Sequence, residues 1–325
     1  MDVVGIDNVC MDFIIQIEKI PATNSYERLI NYSWQGGGKV PTALVALGRL
    51  GIETGLIGLA GKDPFGEFCI EDLKRHMVDT SRMIREDTNT TLSICLAERK
   101  TKGRSFIFQT GNYRELTVDD LDKDYIAAAK YLHLSYMSPA SIEAAKMARA
   151  NGVKVVIDAD GYNKRIVDNI GLIDIFIGSE FFYDGMFEDK NYEENCKKLR
   201  GKGPEIVVFT LGDKGCVGMD DEGYFEMPTF NDVEVMDTTG AGDVFHGAFI
   251  YSLIRGWSAK DTARFSNAVS SIKCTRLGGR AAIPDLPTVE RFLKDGYIDY
   301  KSIDERVKFY EKAIFNSNFH FSDDK

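Results

Sequence analysis

Six short apolar runs rich in Val and Ile recur along the chain, at residues 3–6, 54–59, 131–134, 153–158, 173–177 and 205–211. Strands without polar alternation belong to a sheet covered on both faces. Between them, residues 42–50, 64–76, 142–150 and 191–199 carry apolar side chains at helical spacing. Parallel neighbours need a crossover long enough to hold a helix, and such crossovers are right-handed. The alternation therefore predicts an α/β fold, a three-layer αβα core around a mostly parallel sheet. The final third turns helical, over 241–255, 259–273, 287–293 and 304–315. With 325 residues and no internal repeat or linker-like stretch, the chain reads as a single domain over 1–315 with a frayed tail at 316–325.

Two segments break the rhythm. Residues 12–34 and 90–112 contain period-two stretches, such as Ser93-Ile94-Cys95-Leu96-Ala97 and Ser105-Phe106-Ile107-Phe108. Alternation fits an antiparallel sheet with one exposed face, so the two segments are expected to form a small β-sheet lid inserted at one edge of the core. A sheet this small has little core of its own. Ile94, Leu96, Phe106 and Phe108 need cover, which predicts a homodimer in which two lids meet across a two-fold axis.

Composition narrows the function. The chain has 40 Lys and Arg against 50 Asp and Glu, a net charge of −10, and no basic run longer than Lys197-Lys198. That balance argues against nucleic-acid binding. No apolar stretch reaches the ~20 residues of a membrane helix, and no basic segment precedes Val3-Val4-Gly5-Ile6, so a cytoplasmic protein is expected. The cysteines, Cys10, Cys69, Cys95, Cys196, Cys216 and Cys274, lie far apart inside apolar runs and read as reduced thiols. Without export, the sequon-like Asn31-Tyr32-Ser33 and Asn89-Thr90-Thr91 carry no meaning.

The most informative stretch is Asp237-Thr238-Thr239-Gly240-Ala241-Gly242-Asp243, running into the apolar Val244-Phe245-His246-Gly247-Ala248-Phe249. Gly-Ala-Gly leaves backbone N–H groups bare at the positive end of a helix, where anions and phosphate above all are bound. Asp243, in the first turn, can accept a proton from a substrate hydroxyl while phosphoryl charge builds beside those amides. Helix capping alone would also favour an Asp there. Three further stretches accompany it. Gly36-Gly37-Gly38-Lys39 precedes the helix at 42–50, and three successive glycines make sense where a ligand touches the chain or where a loop joins lid to core. Phe209-Thr210-Leu211-Gly212-Asp213-Lys214-Gly215 is a buried strand entering a turn, or a hairpin. Lys273-Cys274-Thr275-Arg276-Leu277-Gly278-Gly279-Arg280-Ala281-Ala282-Ile283-Pro284 follows a helix, with Gly278 suited to its C-cap.

Together these four stretches resemble the PfkB (ribokinase-like) carbohydrate kinase family, from Gly5 to about Pro284. The resemblance implies a ribokinase-like fold and transfer of the γ-phosphoryl group of ATP, with Mg²⁺, to a sugar hydroxyl, the primary CH2OH. It implies Asp243 as the catalytic base and Gly240, Ala241 and Gly242 as the anion hole. Asp12, Gly36, Gly37, Gly38, Lys39 and Thr42 resemble the sugar-binding positions. Ser179, Thr210, Gly212, Gly215 and Asn267 match the ATP site, and Glu180, Asp158 and Asp160 are expected to organise the waters of magnesium. In members activated by a monovalent cation such as K⁺, Asp237, Thr239, Lys273, Arg276, Gly278 and Ala282 occupy the matching loop positions, mostly through carbonyls. A lid keeps water from a reacting phosphoryl group.

Two departures bear on specificity. Members usually carry Asn where this chain has Thr42, and their Asn-x-x-Glu reads Ser179-Glu180-Phe181-Phe182 here. The Gly-Gly-Gly stretch and Thr42 resemble the sulfosugar-kinase branch, yet Tyr26 and Met137 stand where that branch presents cations. A sulfosugar or a nucleoside is the alternative substrate. The rival reading from another class is a non-catalytic sugar- or nucleotide-sensing module. Other motifs fail: Gly55 to Lys62 imitates a P-loop with Asp63 in place of Ser or Thr, and no GxGxxG follows the first strand. His76, His133, His246 and His320 have no ligand spacing, and there is no nucleophile elbow.

Overall fold

The computed structural model describes residues 1–101 and 103–316. Its strands are β1 (Val3–Ile6), β2 (Cys10–Ile17), β3 (Leu29–Gly37), β4 (Thr54–Gly61), β5 (Val78–Glu86), β6 (Thr91–Glu98), β7 (Arg104–Gln109), β8 (Tyr131–Leu134), β9 (Lys154–Ala159), β10 (Ile175–Ser179), β11 (Ile206–Thr210), β12 (Cys216–Asp220) and β13 (Gly223–Met227). The helices are α1 (Lys39–Arg49), α2 (Pro64–Arg75), α3 (Lys123–Ala127), α4 (Pro139–Ala150), α5 (Lys164–Asp168), α6 (Glu180–Met186), α7 (Tyr192–Arg200), α8 (Ala241–Ile254), α9 (Ala259–Lys273), α10 (Leu286–Asp295) and α11 (Lys301–Asn316). Residues 317–325 of the expected tail, with His320, lie outside the described residues.

Nine strands form one sheet in the order β13-β12-β11-β10-β9-β8-β1-β4-β5. Every pairing from β11 to β5 is parallel, and β12 and β13 extend the sheet as an antiparallel hairpin. The apolar runs have the cause their lack of alternation implies. Ile175 and Ile177 of β10 enter the layer that contains α1, α8 and α9, while Phe176 between them enters the opposite layer with α4 and α7. Both faces are covered, so both need apolar side chains. Helix α8 is buried from Val244 through Ser252 without a break, because α1 and α9 flank it. Helix α1 starts at Lys39, three residues before its periodicity suggests, since Pro41 fits the first turn. Strand β5 was hidden in the sequence by its polar Asp79-Thr80-Ser81-Arg82, which an edge position tolerates.

The second sheet has the order β3-β2-β6-β7. β6 and β7 fall within the alternating segment 90–112, while β2 and β3 overrun the segment 12–34 at both ends, and the sheet is mixed rather than antiparallel as expected. β2 pairs with β3 and β6 with β7 antiparallel, whereas the central β2–β6 pair is parallel. The reason is connectivity: β2 continues from β1 and β6 from β5, and β1 and β5 run the same way in the large sheet. Buried Ser93, Cys95 and Ala97 face inward from β6, Ile94 and Leu96 are half-buried, and β7 is exposed throughout. All six cysteines are free. No helix among the described residues is long and apolar enough to cross a membrane.

Candidate active site

The candidate residues of the parallel strands lie at or just beyond their carboxyl ends: Asp7 after β1, Asp158 and Asp160 at β9, Ser179 at β10 and Thr210 at β11. Ligand sites of open α/β sheets form at this edge. Helix α8 points its N-terminus toward the same place. Its N-cap, Gly240, has φ 73°, a left-handed conformation, and a Cβ there would come within 2.9 Å of the Gly279 backbone. The loop before it is fastened by Asp237. One carboxylate oxygen accepts the Thr239 N–H at 2.9 Å and its hydroxyl at 2.8 Å, and the other accepts the Gly278 N–H at 2.7 Å. The side chain of Lys273, fully buried at the end of α9, donates from Nζ to the carbonyls of Asp237, at 3.0 Å, and Thr239. The second sheet reaches the same loop, with Cys95 Sγ 3.2 Å from Thr239 Oγ1 and Arg104 Nη1 donating to Thr238 Oγ1 at 2.6 Å.

Asp243 is half-buried in the first turn of α8. Burial pushes its pKa well above the usual carboxylate value, and the nearby charge of Asp158 pushes it further; Lys39 opposes both, while Asp160 and Asp12 add to the rise. A carboxylate raised in this way is a stronger base than a solvated Asp. Lys39 pairs with Asp160 at 3.1 Å and lies 5.5 Å from the Tyr136 ring centroid. Burial works against its charge, but Asp158 and Asp160 prevail and hold the ammonium above the usual lysine range. Behind Asp158 stand two histidines, His246 at 3.5 Å and His133 stacked on it with ring centroids 5.5 Å apart. Burial lowers both to about 3, so they are neutral packing groups.

Between β3 and α1, the glycine stretch is not a turn: Gly36 and Gly37 are the last residues of β3, and Gly38 caps α1. Two of these glycines make room for side chains of the protein itself. A Cβ on Gly37 would lie 2.2 Å from Asp12 Oδ2, and one on Gly36 would lie 2.2 Å from Arg280 Nη1. Burial pushes Asp12 up to about 6, with Arg280 pulling the other way. Fully buried Arg280 donates to Asp72 at 2.7 Å, to the Gly37 carbonyl at 2.8 Å and to Thr42 Oγ1 at 3.3 Å. Thr42, expected to face the sugar, is buried with its hydroxyl on Arg280 and supports the site from behind.

At the ends of β10 and β11, Thr210 Oγ1 donates to the Gly178 carbonyl at 3.4 Å, and Gly212 and Gly215 adopt φ 60° and 91° in the turn between β11 and β12. Ser179 caps α6 by accepting from Phe181 N–H and Phe182 N–H, and its hydroxyl donates to the Asp160 carbonyl. Glu180 lies 3.6 Å from Lys214 and 3.7 Å from Lys190. Asn267 is buried, its amide donating to the carbonyls of Met227 and Pro228. Arg276 turns away to Asp304 at 2.8 Å, Gly278 donates its N–H to Asp237, and Ala282 is buried. Tyr26 is 89% exposed and Met137 is buried, so neither brings charge to the site.

Sequence reasoning missed four residues. Asp7 accepts the Val40 N–H at 3.2 Å and so caps α1 in place of a side chain at Gly38. Gln35 accepts from the N–H groups of Arg280 and Ala281, and Asp72 pairs with Arg280. Arg104 is the fourth. Only Asp72 gave a signal, a carboxylate on the same helical face as Cys69 and Leu73.

Strand order, the added four-stranded sheet and the α8 terminus define a ribokinase-like α/β protein. The ribokinase of Thermotoga maritima is 26% identical, with a TM-score of 0.77 over 90% of this chain and 99% of that one. A ribokinase of Arabidopsis thaliana, solved with ribose and ATP, is 23% identical, with a TM-score of 0.77 over 90% of this chain and 98% of that one. Residues 1–286 match the pfkB family of carbohydrate kinases, and the chain belongs to that family. It is also 29% identical over 314 residues to a 5-dehydro-2-deoxygluconokinase of Clostridium perfringens, covering 89% of this chain and 90% of the relative.

Proposed function

We propose that this carbohydrate kinase transfers the γ-phosphoryl group of ATP to the primary hydroxyl of a monosaccharide or sugar acid, with Asp243 as base. The observation that carries this reading is the pairing of a half-buried carboxylate of raised pKa with the unpartnered amides of Gly240 and Gly242 in one helical turn; the Ala241 N–H, expected to join them, is taken up by the Thr238 carbonyl at 3.1 Å. Asp243 takes the hydroxyl proton as the oxygen attacks, and the amides receive the charge that builds on the phosphoryl oxygens. Asp12, lying against Gly37, holds and orients the sugar; Lys39 balances the acidic cluster and faces the phosphates. Thr210, Gly212 and Gly215 line the nucleotide, with Ser179 and Asn267 shaping the elements that carry them.

Exposed Asp160 and half-buried Glu180 are hard oxygen donors at the nucleotide side, and among the described residues no three His, Cys, Asp or Glu form a metal cage by themselves. Both facts suit Mg²⁺, which keeps most of its waters and takes one or two carboxylates besides phosphate. Asp160 and Glu180, with buried Asp158 behind Asp160, would hold the waters of that ion, which would supply neutralisation of phosphate charge when bound.

The clostridial relative is named for 5-dehydro-2-deoxygluconate, a keto sugar acid. Arg104, brought by β7 to Thr238, is a cation suited to an acidic acceptor, so this compound leads the panel. The exposed Phe106, Ile107 and Phe108 of β7 support a homodimer through the second sheet. ADP release over sugars, sugar acids, a sulfosugar and nucleosides tests the reading. Binding detected by thermal shift with no turnover on any of them would instead indicate a sensor. Asp243→Asn should keep its melting temperature and ligand binding and lose about 10²–10⁴-fold in kcat. Near-native kcat would remove Asp243 as the base.

A further inference from the structure

The loops that match a monovalent-cation site in activated members of this family do not fit K⁺ in this chain. A K⁺ ion held there needs free carbonyl oxygens, and two of them, those of Asp237 and Thr239, already receive the Lys273 ammonium. The Asp237 carboxylate offers no substitute, since both of its oxygens accept N–H groups from Thr239 and Gly278. The Lys273 side chain is fully buried, so its charge cannot withdraw to solvent, and a second cation on the same oxygens would meet a like charge.

We propose that Lys273 is a built-in monovalent cation, a positioning residue that fixes the loop before α8 and makes turnover independent of K⁺. The proposal rests on reading the α8 terminus as the phosphoryl site. Three features support it. Lys273 is the last residue of α9, where the partial negative charge of the helix end favours a cation. Buried lysines require partners, and this one is given carbonyls rather than a carboxylate, the ligand type a bare alkali cation would use. The two carbonyls flank Thr238, and that of Thr239 immediately precedes Gly240, whose left-handed conformation at the N-cap sets the unpartnered Gly240 and Gly242 amides and the carboxylate of Asp243. Holding those carbonyls therefore holds the anion hole. The ammonium contributes no proton and touches no substrate; it acts through the loop.

The test begins with the wild-type enzyme. ATP is supplied free of potassium, ionic strength is held at about 0.1 M with tetramethylammonium chloride, and KCl, RbCl or NaCl is titrated in its place. Turnover that stays within about twofold in every salt is expected, whereas saturable activation selective for K⁺ and Rb⁺ would overturn the proposal. Tl⁺ binding, followed by thallium NMR, gives a readout apart from activity. The wild type should bind no Tl⁺, and Lys273→Ala, which vacates the two carbonyls, should bind it. Wild-type binding would overturn the proposal even if no sugar in the panel were turned over, so failure of the kinase reading and failure of this one are distinguishable. In potassium-free buffer Lys273→Ala should lose at least about tenfold in kcat with little change in KM, and K⁺, ammonium or methylammonium should restore part of it. A purely structural lysine would not be replaced by a dissolved cation, so a folded Lys273→Ala without rescue counts against the proposal. If that variant does not fold, the wild-type titrations decide.

Discussion

Replacing Gly242 by Ala should stabilise the protein and damage its chemistry at once. Gly242 is the second residue of α8; it is exposed, and a Cβ built on it meets no atom within 4 Å. It is not among the glycines with left-handed φ, so Ala fits the backbone without strain. Gly→Ala at a compatible helical position gains about 0.4–1 kcal/mol, chiefly by restricting the unfolded chain. For 325 residues with an unfolding entropy of about 2 cal/mol/K per residue, that is a rise of roughly 1 °C in Tm. In the proposed reading, the space the methyl would fill in the free protein is where a phosphoryl group comes to touch the amides. Losing one such donor costs about 10²–10³ in kcat. Gly171→Ala, between α5 and β10 at the opposite edge of the sheet and with one ordinary contact at 3.8 Å, is the control. Calorimetry and ADP-release kinetics on the two variants make the comparison. Full activity in Gly242→Ala, with the small stabilisation present, would mean that no phosphoryl group approaches this turn.

Further outcomes follow from the charges and the buried pairs. Lys39→Met removes the cation that lowers the Asp243 pKa, so the acid limb of the pH–kcat/KM profile should move to higher pH, because the base works only when ionised; an unmoved limb would separate Lys39 from the base. Arg280→Met leaves Asp72 buried without its partner and should cost about 3–5 kcal/mol in denaturant unfolding; a loss below about 1 kcal/mol would refute the strut. His133 is held at about 3 when folded. The unfolded chain alone therefore takes up its proton below about pH 6.5, and stability falls as pH drops through that value. His133→Gln should reduce the loss between about pH 7 and 5 by roughly 2 kcal/mol, whereas an unchanged loss would contradict the buried neutral ring. Phe108→Glu, on a side chain 62% exposed, should turn a sedimenting dimer into a monomer with the core melting unchanged; a wild-type monomer would remove the dimer.

Much of the fold was legible because it is written in local patterns. The apolar runs of β1, β8, β9, β10 and β11 announce a sheet covered on both faces, and α9 was bounded correctly by its own start and stop signals. β5 escaped because an edge strand tolerates polar residues, and the mixed sheet escaped because strand direction depends on connectivity rather than on side-chain alternation. Within the candidate site, Gly240 and Asp243 were legible for the same local reason: a left-handed N-cap and a first-turn carboxylate constrain the residue types at those positions.

What stayed hidden is the set of long-range side-chain struts. Arg280 reaches Asp72 and Gly37, Gln35 reaches the loop at 277–281, and Lys273 reaches Asp237 and Thr239; no periodicity links such partners. Each strut ends on a backbone group or carboxylate directly behind a residue that the motifs do single out, and this alters what some motif residues mean. Gly36 and Gly37 look like places where a ligand meets bare backbone, yet the atoms that exclude a Cβ there belong to Arg280, Asp72 and Asp12. Lys273 looks like one more carbonyl in a loop, yet its side chain supplies the charge to the loop's other carbonyls. A glycine or a lysine in a motif thus records a steric or electrostatic vacancy without saying who fills it. At the α8 terminus the unpartnered Gly240 and Gly242 amides and the open space at Gly242 leave that role vacant, whereas beside Gly36 and Gly37 and in the loop before α8 the protein fills it with its own charged side chains.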